Sequence, residues 1–346
     1  MITLASTITP SMIWGTFLGL VVAFAIPLIL VAYGGMFSEH SGIVNIALEG
    51  IMVIGAMTSS MISHQFDAQV KAGTIQPWLA MFIAIIASGL AGALFSLLLS
   101  FASNHLKADQ TIAGTAINIM APAIFLIGST AINDGVETDW ITLPTWSTFS
   151  PTNFGITGKS FFRSFSVNTI CIETTFFALV LIPLMAFILY RTRFGLRLRS
   201  CGEHPEASAS LGLNVFAYRY AGVTISGFLA GIGGTAYVLA STSDVYGDVA
   251  GIGFLALAVM IFGNWNAIKI IGAAFFFAFF KTLGNMTTTL GASDNAFLKA
   301  LVSFPRAEII YALLPYIVTL IVLIFTSKHS QAPKAEGTPF DISRRS

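Results

Sequence analysis

Two polar side chains inside a long apolar stretch are the first candidates for chemistry. Asn45 and Glu49 stand four residues apart in the run from Ile43 to Ser63, so on a helix both would face the same way. Ionisable groups are costly within a membrane and usually face the interior of a helical bundle. Glu49 could therefore carry a proton, as in a secondary transporter, or serve a structural role near the cytoplasmic interface.

A second polar stripe follows on a later apolar run. Gln110, Gly114 and Asn118 again recur every four residues, and Thr111 and Thr115 lie beside them. Such a stripe can line a hydrated solute path, or it can form hydrogen bonds between helices. The sequence leaves both readings open for these interior polar residues.

Other polar or small residues in the apolar runs have simpler interpretations. Ser226 belongs to a stripe of small residues at spacing four, with Gly222 and Gly234, which is typical of closely packed membrane helices. It is also a candidate interior polar group. Lys281 stands near the outer end of its run, where a lysine can extend its ammonium group to the lipid headgroups.

Sequence signatures of enzymes and metal sites are missing. The chain has no Gly-rich nucleotide loop ending in Gly-Lys-Ser/Thr, no His-Glu-x-x-His and no Cys-x-x-Cys. The five histidines fall in separate loops or ends, and Cys171 and Cys201 read as ordinary thiols. We therefore expect no catalytic residues, no metal site and no cofactor bound by this chain, and a membrane-embedded enzyme is disfavoured.

The composition explains why these polar groups stand out. Of 346 residues, 55% are hydrophobic and 10% are charged, and the mean hydropathy is +0.81. Ordinary soluble domains carry about 25% charged residues, so this chain cannot build a water-soluble surface. With roughly 20 apolar residues needed for each crossing, the length accommodates about eight to ten membrane helices.

Apolar runs define the elements that must position the candidate residues. The seventh run, Gly251 to Gly263, is short or re-entrant, because about 20 Å of helix does not cross a core of about 30 Å. We predict an all-α, polytopic transmembrane bundle of about nine segments, forming a single domain over residues 1–327. The nine runs are Met12–Tyr33, Ile43–Ser63, Trp78–Ala102, Thr111–Ala131, Thr169–Tyr190, Ala217–Ser241, Gly251–Gly263, Ala267–Met286 and Glu308–Phe325.

Basic residues predict the orientation of the bundle. Four arginines between Arg191 and Arg199 place the loop 191–216 in the cytoplasm, because Lys and Arg of short loops are retained there. The polar tail, 328–346, is predicted to be cytoplasmic and disordered. Nine crossings then put the long loop 132–168 outside the cell, where a loop of that length is usually functional.

A short helix is predicted within the basic loop. Pro205 suits a first helical position, Glu206 suits the first turn, and Gly212 would end the helix. A short helix with a small-residue face, projecting into the cytoplasm, suits docking into a groove on another protein. The candidate docking residues are Glu203, His204, Pro205, Glu206, Ala207, Leu211 and Gly212.

Three stretches around these residues carry a family resemblance. They are 193–199 (RFGLRLR) with 202–215 (GEHPEASASLGLNV), 220–234 (YAGVTISGFLAGIGG), and 35–50 (GMFSEHSGIVNIALEG) with 108–118 (ADQTIAGTAIN). The chain resembles permeases of the bacterial ABC importers for branched-chain amino acids, simple sugars and nucleosides. The stretches 35–50 and 108–118 resemble the nucleoside branch most closely.

The resemblance implies a role and a set of partners. It implies a permease subunit in a bacterial plasma membrane that forms part of the path of a nucleoside or a related polar solute, such as a sugar or a branched-chain amino acid. Its partners would be a second, homologous permease, two ATP-binding subunits that hold ATP and Mg, and an extracytoplasmic solute-binding lipoprotein. Residues 203–212 would couple the chain to the ATPases. The alternative is a stand-alone proton-coupled transporter that uses Glu49.

Overall fold

The fold is a bundle of helices with one small sheet. The computed structural model describes residues 10–133, 135, 140–147, 172–241, 244–291, 296–326 and 331–340. Strands β1 (Trp140–Thr142) and β2 (Asp244–Tyr246) pair antiparallel, with Ile141 opposite Val245. The helices are α1 Pro10–His40, α2 Leu48–Lys71, α3 Pro77–Asn104, α4 Gln110–Ile132, α5 Ile172–Arg191, α6 Arg193–Glu203, α7 Pro205–Ser210, α8 Val215–Ser241, α9 Ile252–Phe262, α10 Ala267–Asn285, α11 Thr287–Gly291, α12 Ala296–Leu301 and α13 Ala307–Thr326.

Six of the described helices are long and apolar enough to cross a membrane. They are α1, α3, α4, α5, α8 and α10, while α9 and the apolar part of α13, Ala307–Val318, are shorter. The predicted count of about nine spans is therefore not confirmed. The short seventh run is present as α9, whose 11 residues rise about 16 Å.

Helices α1 and α8 form the centre of the bundle. Both are mostly buried, and α8 packs closely against α1, α2 and α3. Small residues permit this approach, because a Cβ on Gly234 of α8 would collide with the backbone of Met52 of α2. The predicted packing role of the small-residue stripe is thereby confirmed at this position.

The second predicted segment is interrupted. Residues 41–47 are not helical, and α2 begins only at Leu48, inside the bundle. Helix α9 also begins inside the bundle, where Gly253 lies directly against the backbone of Glu49. The first turns of α2 and α9 thus meet within the protein. The apolar run from Ile43 to Ser63 predicted one continuous segment and gave no sign of this interruption.

One end of the bundle, here named the hairpin end, carries β1 and β2. His64 of α2 hydrogen-bonds the carbonyl oxygen of Thr142 at 2.5 Å, and the Trp146 indole donates to Asp67 at 3.1 Å. Part of the predicted long loop 132–168 therefore packs on the end of α2. Residues 148–168 of that loop lie outside the described residues.

The opposite end, here named the basic end, carries α6, α7 and the C-terminal segment 331–340. The Ala335 amide donates to the carbonyl oxygen of Gly202 at 2.9 Å, and Phe340 is only 7% exposed. This part of the tail is packed, whereas the polar composition predicts disorder for all of 328–346. Two apolar side chains in this polar tail, Ala335 and Phe340, are buried against the rest of the protein. The average composition of the tail does not show them.

Candidate functional site

Side chains of α4 bind the non-helical backbone at 41–47. The Val44 amide donates to Gln110 Oε1 at 2.7 Å, and Asn118 Nδ2 donates to the carbonyl oxygen of Ile46 at 2.9 Å. Asn118 Oδ1 also accepts from the Gly50 amide at 2.8 Å. Backbone groups outside a helix must find partners in a membrane interior. Gln110 and Asn118 therefore stabilise the interruption before α2.

Asn45 is held from the other side of the same segment. Its Nδ2 atom donates to Ser226 Oγ of α8 at 2.8 Å, and both side chains are fully buried. The interrupted segment is thus bound by α4 on one side and by α8 on the other. These contacts favour interhelical hydrogen bonding over direct lining of an open solute path for Asn45 and Ser226.

Glu49 binds the start of α9. The Gly251 amide donates to Glu49 Oε1 at 2.8 Å, and the Gly253 amide donates to Glu49 Oε2 at 2.6 Å. The free N–H groups of a helix N-terminus favour a carboxylate, which also complements the helix dipole. Glu49 therefore joins the first turn of α2 to the first turn of α9.

The stripe predicted on α4 divides into two groups. Gln110 and Asn118 face inward, but Thr111 and Thr115 are exposed on the surface of the chain. The Thr115 hydroxyl hydrogen-bonds the carbonyl oxygen of Thr111 in its own helix. Both threonines thus lie on the surface of this chain, and their place on a solute path stays a prediction.

A cavity of about 510 Å³ lies between the start of α9, the end of α10 and the start of α13. Lys281, Asn285, Glu308 and Tyr316 are its polar lining residues, and we name it the lysine cavity. The sequence interpretation placed the Lys281 ammonium group among lipid headgroups, and the structure instead places this side chain in the cavity wall. The only sequence feature that could have indicated this cavity is the presence of a lysine within an otherwise apolar run.

The basic loop forms two short helices. Thr192 caps α6, whose Gly195 amide donates to Thr192 Oγ1 at 3.2 Å, and α6 buries Leu198 while leaving Arg193 and Arg197 exposed. The helix predicted from Pro205 onward is present as α7, and Gly212, with a φ of +83°, follows it in the left-handed region.

The candidate docking residues are mostly accessible. Leu211 is 83% exposed at the tip of the loop. This side chain is therefore accessible to another molecule. His204, Glu206, Ala207 and Gly212 are also exposed, and Glu203 and Pro205 are partly exposed. The structure brings these residues together on one surface at the basic end.

The root of the basic loop contains residues that sequence reasoning missed. Cys201 and Val215 are buried in one small cluster with Phe340. Arg219 is fully buried with its guanidinium carbon 6.0 Å from the Phe340 ring centre. Burial raises the pKa of the Cys201 thiol. Phe340 is more than 120 positions away from Cys201 and Val215 in the sequence, so no local sequence pattern could predict this cluster.

The turn before α10 is fixed by a contact with α1 and by a side-chain cap. The Trp265 indole donates to Glu39 Oε2 at 2.5 Å, and Glu39 is 3% exposed. Asn266 caps α10, because its Oδ1 accepts from the amides of Ile268 at 3.1 Å and Lys269 at 3.3 Å. This turn is therefore held by a side-chain cap as well as by the contact with Glu39.

Comparisons with known proteins place this chain in a family. A family model described as the permease component of branched-chain amino acid transport systems matches residues 17–326. The chain is 38% identical to the "Guanosine ABC transporter permease protein NupQ" of Bacillus subtilis (strain 168) over 325 residues, which cover 93% of this chain and 95% of that protein. No solved structure matches the chain.

Two proteins of Lactococcus lactis subsp. cremoris (strain MG1363) are also similar. The "Nucleoside ABC transporter permease protein NupC" is 37% identical over 333 residues, covering 93% of this chain and 95% of that protein. The "Nucleoside ABC transporter permease protein NupB" is 24% identical over 263 residues, covering 74% of this chain and 69% of that protein. With the family model covering most of its length, the chain belongs to the permease-component family of branched-chain amino acid transport systems.

Proposed function

We propose that this chain is the permease subunit of an ATP-driven importer for nucleosides. The exposed segment 203–212, with Leu211 at its tip, carries the proposal, because it offers an apolar contact on a loop that the family resemblance assigns to motor coupling. The names of two relatives that match 93% of this chain support the nucleoside class. Hydrolysis of ATP would then occur on partner subunits and not on this chain.

The proposed orientation places the basic end in the cytoplasm. Arg191, Arg193 and Arg197 are exposed there, and short loops rich in arginine are retained on the cytoplasmic side. The C-terminal segment 331–340 packs at the same end, so the C-terminus would be cytoplasmic. The hairpin end would then face outward, in the plasma membrane of a bacterium.

The proposed assembly contains a second, homologous permease, two ATP-binding subunits with ATP and Mg, and an extracytoplasmic solute-binding lipoprotein. Two different nucleoside permeases of one Lactococcus lactis strain are similar to this chain, which supports a pore built from two related permeases. Residues 203–212 would dock into an ATP-binding subunit and transmit its closure to α6 and α8.

The contacts of Glu49 do not support a proton-coupled transporter. Both carboxylate oxygens accept backbone hydrogen bonds at the start of α9. A proton carrier must exchange its proton with water, whereas this carboxylate joins two helices. Glu49 is thus better explained as a structural link.

Uptake by proteoliposomes tests the proposed function. Radiolabelled guanosine should accumulate in vesicles that contain this chain, its partner subunits and enclosed ATP, with the solute-binding protein outside. Vesicles that hold this chain alone under a proton gradient should show none. Proton-driven uptake by the chain alone, abolished by Glu49→Gln, would establish the secondary transporter instead.

A further inference from the structure

We propose that the lysine cavity holds the solute, and that this solute is an uncharged molecule with several hydroxyl groups and an aromatic ring, as in a nucleoside. The inference deepens the proposed function and rests on it. It assigns contact with solute to Lys281, Asn285, Glu308 and Tyr316, none of which the sequence interpretation had placed in a solute path.

The size and lining of the cavity fit a small polar molecule. Its volume of about 510 Å³ lies within the range of about 300–1,000 Å³ that is typical of small-molecule sites. Such sites have mainly apolar walls with a few polar groups that fix the orientation of the ligand. Here Leu255, Phe277 and Pro315 supply apolar walls.

Lys281 is the residue that most needs an explanation. It stands 14 positions after Ala267, or about 21 Å along α10, within a helix long and apolar enough to cross a membrane. Among the described residues, no carboxylate lies within ion-pair distance of its ammonium group, which lies 5.7 Å from the centre of the Phe24 ring. Ionisable side chains within such helices usually face a solute or ion pathway. Its position in the cavity wall is consistent with that role.

The charge of the lining favours an uncharged solute. Lys281 is the cation of the cavity, and Glu308 is its anion. Glu49 lies outside the cavity but close enough to interact electrostatically with both Lys281 and Tyr316. Among the described residues, a phosphate group in the cavity would meet one cation and one carboxylate, with the Glu49 carboxylate nearby. Nucleotides are disfavoured on this ground, whereas nucleosides are not.

Hydrogen-bonding capacity matches the sugar of a nucleoside. The Lys281 ammonium donates, the Glu308 carboxylate accepts, and the Asn285 amide does both. Adjacent hydroxyl groups of a ribose can satisfy donors and acceptors together. The ring of Tyr316, which is exposed, offers an apolar face against which a base can stack. The polar groups would thus bind the sugar, and the aromatic wall would bind the base.

The position of the cavity suits a solute on its way through the bundle. Ala250 and Leu255 place its inner part beside the start of α9, and Glu308 places its outer part at the first turn of α13. Interrupted helices that begin inside a bundle commonly mark solute sites in transporters. The cavity therefore extends from the hairpin end toward the meeting point of α2 and α9.

Cysteine protection tests the site in the complete transporter. Ala312 lines the cavity and is exposed, so Ala312→Cys reports access without removing a polar group. Ala300→Cys on α12 is the matched control, since Ala300 is exposed but does not line the cavity. The two native cysteines are first replaced by Cys171→Ser and Cys201→Ala, and uptake is confirmed in this background.

Guanosine at millimolar concentration should slow modification of Cys at position 312 by a membrane-impermeant thiol reagent, and should leave position 300 unaffected. Guanosine 5′-monophosphate should protect far less. Equal protection by the monophosphate, protection by leucine in place of guanosine, or failure of the reagent to reach position 312 while it reaches position 300 would each overturn the assignment.

A lysine pair on one helix provides the functional test. Lys281→Met should lower guanosine uptake at subsaturating concentration by about tenfold, as expected for loss of a charged hydrogen-bond donor. Lys269→Met, at an exposed position of the same helix, should leave uptake within about twofold of the wild type. Normal uptake by Lys281→Met overturns the solute site, whereas absence of ATP-driven uptake in the wild-type complex overturns the proposed function itself.

Discussion

The non-helical segment 41–47 and the loop 204–214 are short connections in opposite surroundings. In the first, Val44, Asn45 and Ile46 are each hydrogen-bonded by side chains of neighbouring helices. In the second, Leu211 and Gly212 project from the surface with no side chain packed over them in the described structure. Polar residues within the bundle thus bind its non-helical backbone, while the basic end exposes an apolar side chain that we propose contacts another protein.

Removal of one side chain that binds the buried segment should have the largest effect on stability. Asn118→Leu keeps a side chain of similar size but leaves the Gly50 amide and the Ile46 carbonyl without their partner. We expect a loss of about 1–3 kcal/mol in the free energy of unfolding. Thermal unfolding of the purified protein in detergent, followed by tryptophan fluorescence, measures it.

Thr115→Val is the matched control on the same helix. Its hydroxyl is exposed and bonds only its own helix, so the change should stay within about 0.5 kcal/mol. Equal destabilisation by Thr115→Val and Asn118→Leu would show that the segment 41–47 does not depend on the contacts of Asn118.

A smaller effect is expected at the root of the exposed loop. Phe340→Ala removes the ring that packs against Cys201 and Val215, and should accelerate alkylation of Cys201 several-fold in a Cys171→Ser background. Because burial raises the pKa of Cys201, little thiolate is present near neutral pH, and the wild-type rate should rise with pH into the alkaline range. Removing the ring should shift this profile toward lower pH.

Mass spectrometry after timed exposure to a maleimide measures that rate. Thr338→Ala, at an exposed position two residues earlier, should leave it unchanged. If Phe340→Ala and the wild type react equally fast at every pH, then the segment 331–340 does not cover the root of the loop.

Much of the bundle could be predicted from apolar runs alone, because long runs such as Trp78–Ala102 and Ala217–Ser241 do form long helices, α3 and α8. The helix α7 was also predictable, since Pro205 and Gly212 are strong local signals. The interruption before α2 was not, because its backbone partners Gln110 and Asn118 lie more than 60 residues away. Hydropathy predicts which residues are buried, but it does not predict whether their backbone is helical.

The candidate site was predictable to a similar extent. Asn45 and Glu49 were found as costly polar groups, but their roles depend on Ser226 and on the first turn of α9, which only the fold brings close. The lysine cavity was missed because Lys281, Asn285 and Glu308 come from two helices whose packing the sequence does not specify. The burial of Phe340 was missed for the same reason.

The most direct test of the account replaces residues 203–212 by a flexible linker of equal length in the reconstituted transporter. Guanosine-stimulated ATP hydrolysis and uptake should both be lost, because the chain can no longer receive motion from the motor subunits. Thermal stability of the bundle should be retained, since these residues lie mainly at the surface. Stimulated ATP hydrolysis at the wild-type rate in this variant would contradict the account.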